Sequence, residues 1–64
     1  MRYDVYLIDK GAERRVSLDI DIELKRSDKF PYQQELYEVK SVQRGPDGFD
    51  ATLFAVPAKV QDIH

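Results

Sequence analysis

Five aliphatic residues, Val16, Leu18, Ile20, Ile22 and Leu24, alternate with Ser17, Asp19, Asp21 and Glu23 in an unbroken period of two. A strand sends successive side chains to opposite faces, so the pattern predicts a half-buried β-strand over residues 16–24; on a helix the same aliphatics would spread around the whole circumference. Burying each of them contributes about 1.5–3 kcal/mol, and this strand is expected to supply much of the core. Upstream, Tyr3, Val5 and Leu7 alternate with Asp4 and Tyr6, and Asp9, Lys10 and Gly11 form a turn in which the glycine takes the positive φ of a tight hairpin. A turn centred on Lys10 and Gly11 sets Val5 against Val16 and Tyr3 against Leu18 inside, with Arg2 against Asp19 and Asp4 against Ser17 outside. A shift of two residues would put Asp4 opposite Asp19, a like-charge pair that disfavours that register.

Residues 25–29 are a polar break, and Phe30 and Pro31 lead into a segment with two competing readings. As a helix, it has Pro31 in the first turn, Tyr32, Leu36 and Val39 at i, i+4 and i+7, Arg44 in the last turn and Gly45-Pro46 as the stop. As a strand, it has Tyr37, Val39 and Ser41 on one face, with residues 45–48 as the loop into the next strand. The strand reading is preferred. In residues 49–56, Phe49, Ala51, Leu53 and Ala55 share a face, and Asp50, Thr52, Phe54 and Val56 share the other. Both faces turn apolar towards the end, as in a strand covered on two sides. Pro57 stops regular pairing, and Val60 belongs either to a short closing strand or to a single turn. The pattern therefore predicts an all-β domain over residues 1–60, a four- or five-stranded antiparallel meander curled into a small SH3-like half-open barrel. Residues 61–64 are expected to be a frayed tail. The alternative is an α+β, ββαβ arrangement with a helix near residues 31–44.

Composition narrows this further. The 64 residues are 42% hydrophobic and 34% charged, values typical of an ordinary globular domain and too few residues for a second core. There is no cysteine, which excludes disulfides, thiolate metal sites and a cysteine nucleophile. No stretch approaches the roughly 20 apolar residues of a membrane span, and residues 2–8 lack the features of a signal peptide, so a cytoplasmic protein without a membrane partner is expected. The net charge of −2 provides no global field for nucleic acid or an anionic membrane; only residues 24–44 carry an excess of basic side chains.

Little here suggests catalysis. The only histidine, His64, is the last residue of the sequence, so a Ser-His-Asp arrangement is not expected. On a strand, Asp19, Asp21 and Glu23 would project from one face at intervals of about 7 Å, a spacing suited to paired-carboxylate chemistry. However, they lack a pocket to raise one pKa, and no bent loop gathers them around a cation, so a solvated polar face is the better reading. Residues 45–48 lack the lysine and hydroxyl of a phosphate-binding loop. No enzyme activity, cofactor, metal or small-molecule substrate is therefore expected. Phe30, Tyr32 and Tyr37 interleave with Lys25, Arg26, Lys29, Lys40 and Arg44, which makes the 25–44 segment a candidate nucleic-acid surface, opposed by Asp28, Glu35 and Glu38. The acidic row could also imitate a phosphate backbone and inhibit a nucleic-acid enzyme, although −2 is a small net charge for that role. The preferred expectation is a non-catalytic protein-interaction or structural module that binds another protein or a copy of itself. Its candidate contact residues are Tyr6, Arg15, Phe30, Tyr32, Tyr37 and Arg44, because aromatic and arginine side chains dominate interface energetics.

Overall fold

A computed structural model describes residues 1–58. The chain forms β1 (Arg2–Asp9), β2 (Ala12–Asp19), β3 (Lys29–Tyr32), β4 (Glu35–Gln43) and β5 (Ala51–Pro57), with no helix among the described residues. The five strands make one curled sheet in the order β2-β1-β5-β4-β3, a half-barrel consistent with a small SH3-like barrel. The expected closing strand or turn at Val60 and the tail at residues 61–64 lie outside the described residues.

The first hairpin has the register that its charges predict: Val5 pairs with Val16, Tyr3 with Leu18, Arg2 with Asp19 and Asp4 with Ser17. Lys10 (φ 52°) and Gly11 (φ 81°) both adopt positive φ, the geometry of a type I′ turn, whose twist matches that of the flanking strands. The predicted 16–24 strand is displaced towards the N-terminus, starting at Ala12 and stopping at Asp19. Its last ladder contacts are Ile20 N–H donating to the Met1 carbonyl (2.9 Å) and the Met1 ammonium donating to the Ile20 carbonyl. Tyr3 then redirects the chain. Its hydroxyl accepts from the Leu24 N–H (2.8 Å) and donates to the Ile22 carbonyl (3.2 Å), which draws Leu24 into the core and leaves Ile22 65% exposed.

Residues 20–28 carry the chain from one edge of the sheet to the other. There, Lys25 N–H donates to the Asp28 carboxylate and Asp28 N–H to the Lys25 carbonyl, while Ser27 and Asp28 exchange backbone bonds with Val39. The segment near residues 31–44 is a hairpin, not a helix. Lys29 pairs with Glu38 and Tyr32 with Glu35 around Gln33 (φ 50°) and Gln34 (φ 67°), again a type I′ geometry. The predicted meander needs one correction. The β1–β2, β3–β4 and β4–β5 pairs are antiparallel, but β5 runs parallel to β1, so the sheet is mixed. Because the connection crosses to the far edge, the later strands build inwards, and β5 lies beside β1 in the middle of the sheet.

The concave face holds the core. Tyr3, Val5 and Leu7 of β1 meet Leu53 and Ala55 of β5, Val39 and Tyr37 of β4 and Phe30 of β3, with Leu24 closing over them and Val16 and Leu18 packed at the side. A bulge between Val39 and Ser41 leaves Lys40 unpaired, adding curvature to β4 and turning Ser41 to the convex face opposite Phe54.

Candidate functional site

The convex face of the neighbouring inner strands β1 and β5 carries an apolar strip where a solvated sheet face would be polar. β1 directs Asp4, Tyr6 and Ile8 outwards, and beside them β5 directs Thr52, Phe54 and Val56. Tyr6 and Phe54 are register partners, and their rings stack with centroids 5.1 Å apart and planes 14° from parallel. Ile8, Val56 and Leu36 extend the patch, all of them half-buried. No strand of the described residues covers this face.

One side of the patch is charged. Arg15 lies opposite Tyr6 on β2, its guanidinium carbon 5.7 Å from the ring centre, in a cation–π arrangement. The same guanidinium donates from Nε to Asp4 Oδ1 (2.8 Å) and from Nη2 to Asp4 Oδ2 (3.2 Å). The Arg15 pKa is raised, first by the hydrogen bond to Asp4, then by the Asp4 charge and by Tyr6. The cation is therefore fixed in both charge and direction beside the aromatic pair.

The six candidate contact residues separate in the fold. Tyr6 and Arg15 come together on the convex face. Phe30 and Tyr37 do not join them: they are core residues, 3% and 8% exposed, stacked on each other at 5.9 Å. Tyr32 is half-buried at the open seam between β2 and β3, where Arg14 lies 6.0 Å from its ring centre and donates to the Gln33 side chain (2.9 Å). Arg44 is exposed in the loop after β4. Phe54 was missed, although the two apolar faces of residues 49–56 signalled it. Asp4 was placed outside and is on the convex face, yet it is buried because Arg15 covers it.

The other constellations dissolve in three dimensions. β2 ends at Asp19, so Asp21 and Glu23 belong to the connection and the three carboxylates do not form one strand face. Among the described residues, no group of three or more His, Asp or Glu side chains is placed to hold a metal ion. Lys25, Arg26 and Lys40 do gather around a shallow depression of about 520 Å³, but without the ring platforms expected of Phe30 and Tyr37. A second depression of about 470 Å³ follows the seam, between Leu18, Ile20 and Ile22 on one side and Phe30 and Pro31 on the other. His64 lies outside the described residues. None of the family models, curated proteins or solved structures compared with the chain matches it significantly.

Proposed function

We propose that the chain is a non-catalytic protein-interaction module that docks through the convex face of β1 and β5. The observation that carries this reading is the outward Tyr6–Phe54 stack. Stacked aromatics flanked by an oriented arginine resemble the centre of an interface, where such side chains supply most of the binding energy. The partner is another folded protein presenting an apolar surface with an acceptor at its margin for Arg15. The module holds no cofactor and acts on no small molecule. A cytoplasmic setting suits it, since small secreted domains usually depend on disulfides and this sequence has no cysteine.

A photo-crosslinking residue at position 54 in the living cell tests the reading. The expected result is one protein cross-linked in high yield, at a level that Tyr6→Ala reduces and that a crosslinker at Asp47 does not reproduce. Fluorescence anisotropy with labelled single strands at low salt provides the contrast. Binding that weakens steeply with salt and disappears in Phe54→Ala would replace a protein partner with nucleic acid.

A further inference from the structure

β2 is an eight-residue strand at the edge of the sheet. The two-residue turn makes Asp9 and Ala12 a hydrogen-bonded pair, and Ile20 N–H donates to Met1 at the far end of the ladder. The even-numbered residues from Ala12 to Leu18 therefore direct their backbone groups at β1. The N–H and C=O groups of Glu13, Arg15, Ser17 and Asp19 point away from β1, and no backbone hydrogen bond reaches them among the described residues. The other edge is protected. By the same alternation, Lys29 and Pro31 of β3 face outwards, and Pro31 has no N–H to offer.

We propose that two copies of this chain pair β2 against β2, antiparallel, about a two-fold axis through Ser17. The faces of the two sheets stay continuous only if even residues meet even and odd meet odd. With Ser17 on the axis, Arg15 of each copy faces Asp19 of the other and Val16 faces Leu18, so charges complement on the convex side and aliphatics meet on the concave side. The outward N–H and C=O groups of Arg15, Ser17 and Asp19 are then all used. Moving the axis to Val16 sets Glu13 against Asp19, moving it to Arg15 or Arg14 sets that arginine against its own copy, and moving it to Leu18 leaves only residues 17–19 overlapping within the strand. Arg15 can serve both partners, because its bonds to Asp4 use two of the five guanidinium N–H groups. Pro31 disfavours β2 of one copy adding to β3 of the next, so association closes as a pair instead of growing into a filament. This surface adjoins the convex aromatic patch at Arg15 but leaves the Tyr6–Phe54 stack uncovered, so Ser17→Pro tests the pairing of strands and Phe54→Ala tests docking on the convex face.

Gel filtration with light scattering on the full chain is the test. The wild type is expected at twice the mass of one chain. Ser17→Pro is expected at the mass of one chain with an unchanged β circular dichroism spectrum, since the Ser17 N–H donates nothing to β1. Asp19→Lys, which places a lysine opposite Arg15, is expected to weaken association at least tenfold. The chain lacks cysteine, so Ser17→Cys introduces a single thiol. On the axis the two Cα atoms would lie about 5.5 Å apart, within disulfide reach, and mild oxidation should give a covalent dimer, whereas Glu13→Cys should not. Single-chain mass for the wild type at every accessible concentration overturns the proposal. So does equal cross-linking at positions 13 and 17, or a dimer that survives Ser17→Pro and is lost in Tyr6→Ala. If Ser17→Pro does not fold, the two cysteine variants decide.

Discussion

Arg15, with 59% of its side chain exposed, lies over Asp4, with 5% exposed, and the 2.8 Å bond between them seals a carboxylate into the convex face of the sheet. The exposed cation contributes little as a surface charge, but it is the partner that the buried anion requires. Removing one member of such a pair leaves an unpaired buried charge, whereas removing both does not. Arg15→Ala is therefore expected to lower the thermal midpoint more than the double variant Asp4→Ala/Arg15→Ala. Melting curves of the three proteins check this; a double variant less stable than Arg15→Ala alone would contradict it.

The same pair gives a pH dependence whose sign follows from the raised Arg15 pKa. A cation with a folded-state pKa above its unfolded value stabilises fully below the unfolded value, and that contribution is lost only as pH rises through the folded one. For arginine this lies beyond the range in which most proteins are handled, so the pair should not weaken on the alkaline side up to that limit. Arg15→Lys moves the loss to above about pH 10 and gives up the forked geometry. Urea midpoints from neutral to alkaline pH should fall earlier in the lysine variant than in the wild type.

Tyr3 is the hinge of the fold. Its hydroxyl supplies a partner to the buried Leu24 N–H and fixes the Ile22 carbonyl, holding the connection over the core. Tyr3→Phe keeps the ring but leaves that N–H unsatisfied, at an expected cost of about 1–3 kcal/mol in denaturant unfolding. Hydrogen exchange should show Leu24 losing protection first.

Much of this architecture is legible from side-chain alternation, because a half-buried hairpin with charged rims has one good register. Alternation fails where the chain leaves the ladder. Ile20, Ile22 and Leu24 continue the period past Asp19, but it is the Tyr3 hydroxyl, 21 residues away from Leu24 in sequence, that bends the backbone. The β3–β4 hairpin was obscured for another reason: its turn residues, Gln33 and Gln34, carry no glycine or asparagine signal. The aromatic candidates divided because Phe30 and Tyr37 lie on the concave side of a hairpin whose existence was itself in question. Tyr6 was placed correctly because its register followed from the neighbouring charges.

The Gln33-Gln34 turn stores strain that a substitution can release. Both residues adopt positive φ, which costs a side-chain-bearing residue about 1–2 kcal/mol, and glycine avoids most of that cost while losing some chain entropy. Gln34→Gly is expected to stabilise the protein by about 1 kcal/mol and to leave the Arg14–Gln33 hydrogen bond in place. Unchanged or lower stability in urea would mean that the turn is already relaxed.

The Tyr6–Phe54 stack separates a role in folding from a role in binding. An offset aromatic pair contributes about 0.5–1.5 kcal/mol beyond the area it buries, so a double-mutant cycle through Tyr6→Ala and Phe54→Ala should return a coupling of that size. Neither ring reaches the concave core, so both single variants should remain folded, unlike Leu53→Ala, which empties a fully buried site at a cost of about 2–5 kcal/mol. Phe54→Thr keeps a strand-forming residue while removing the ring, and it should reduce binding of a hydrophobic dye with little change in the melting midpoint. Collapse of the fold in Phe54→Thr would assign the stack to stability and leave the convex face without its reason to be apolar. Retained folding with the dye lost would support partner binding as the role of this outward-facing, half-buried pair of stacked rings.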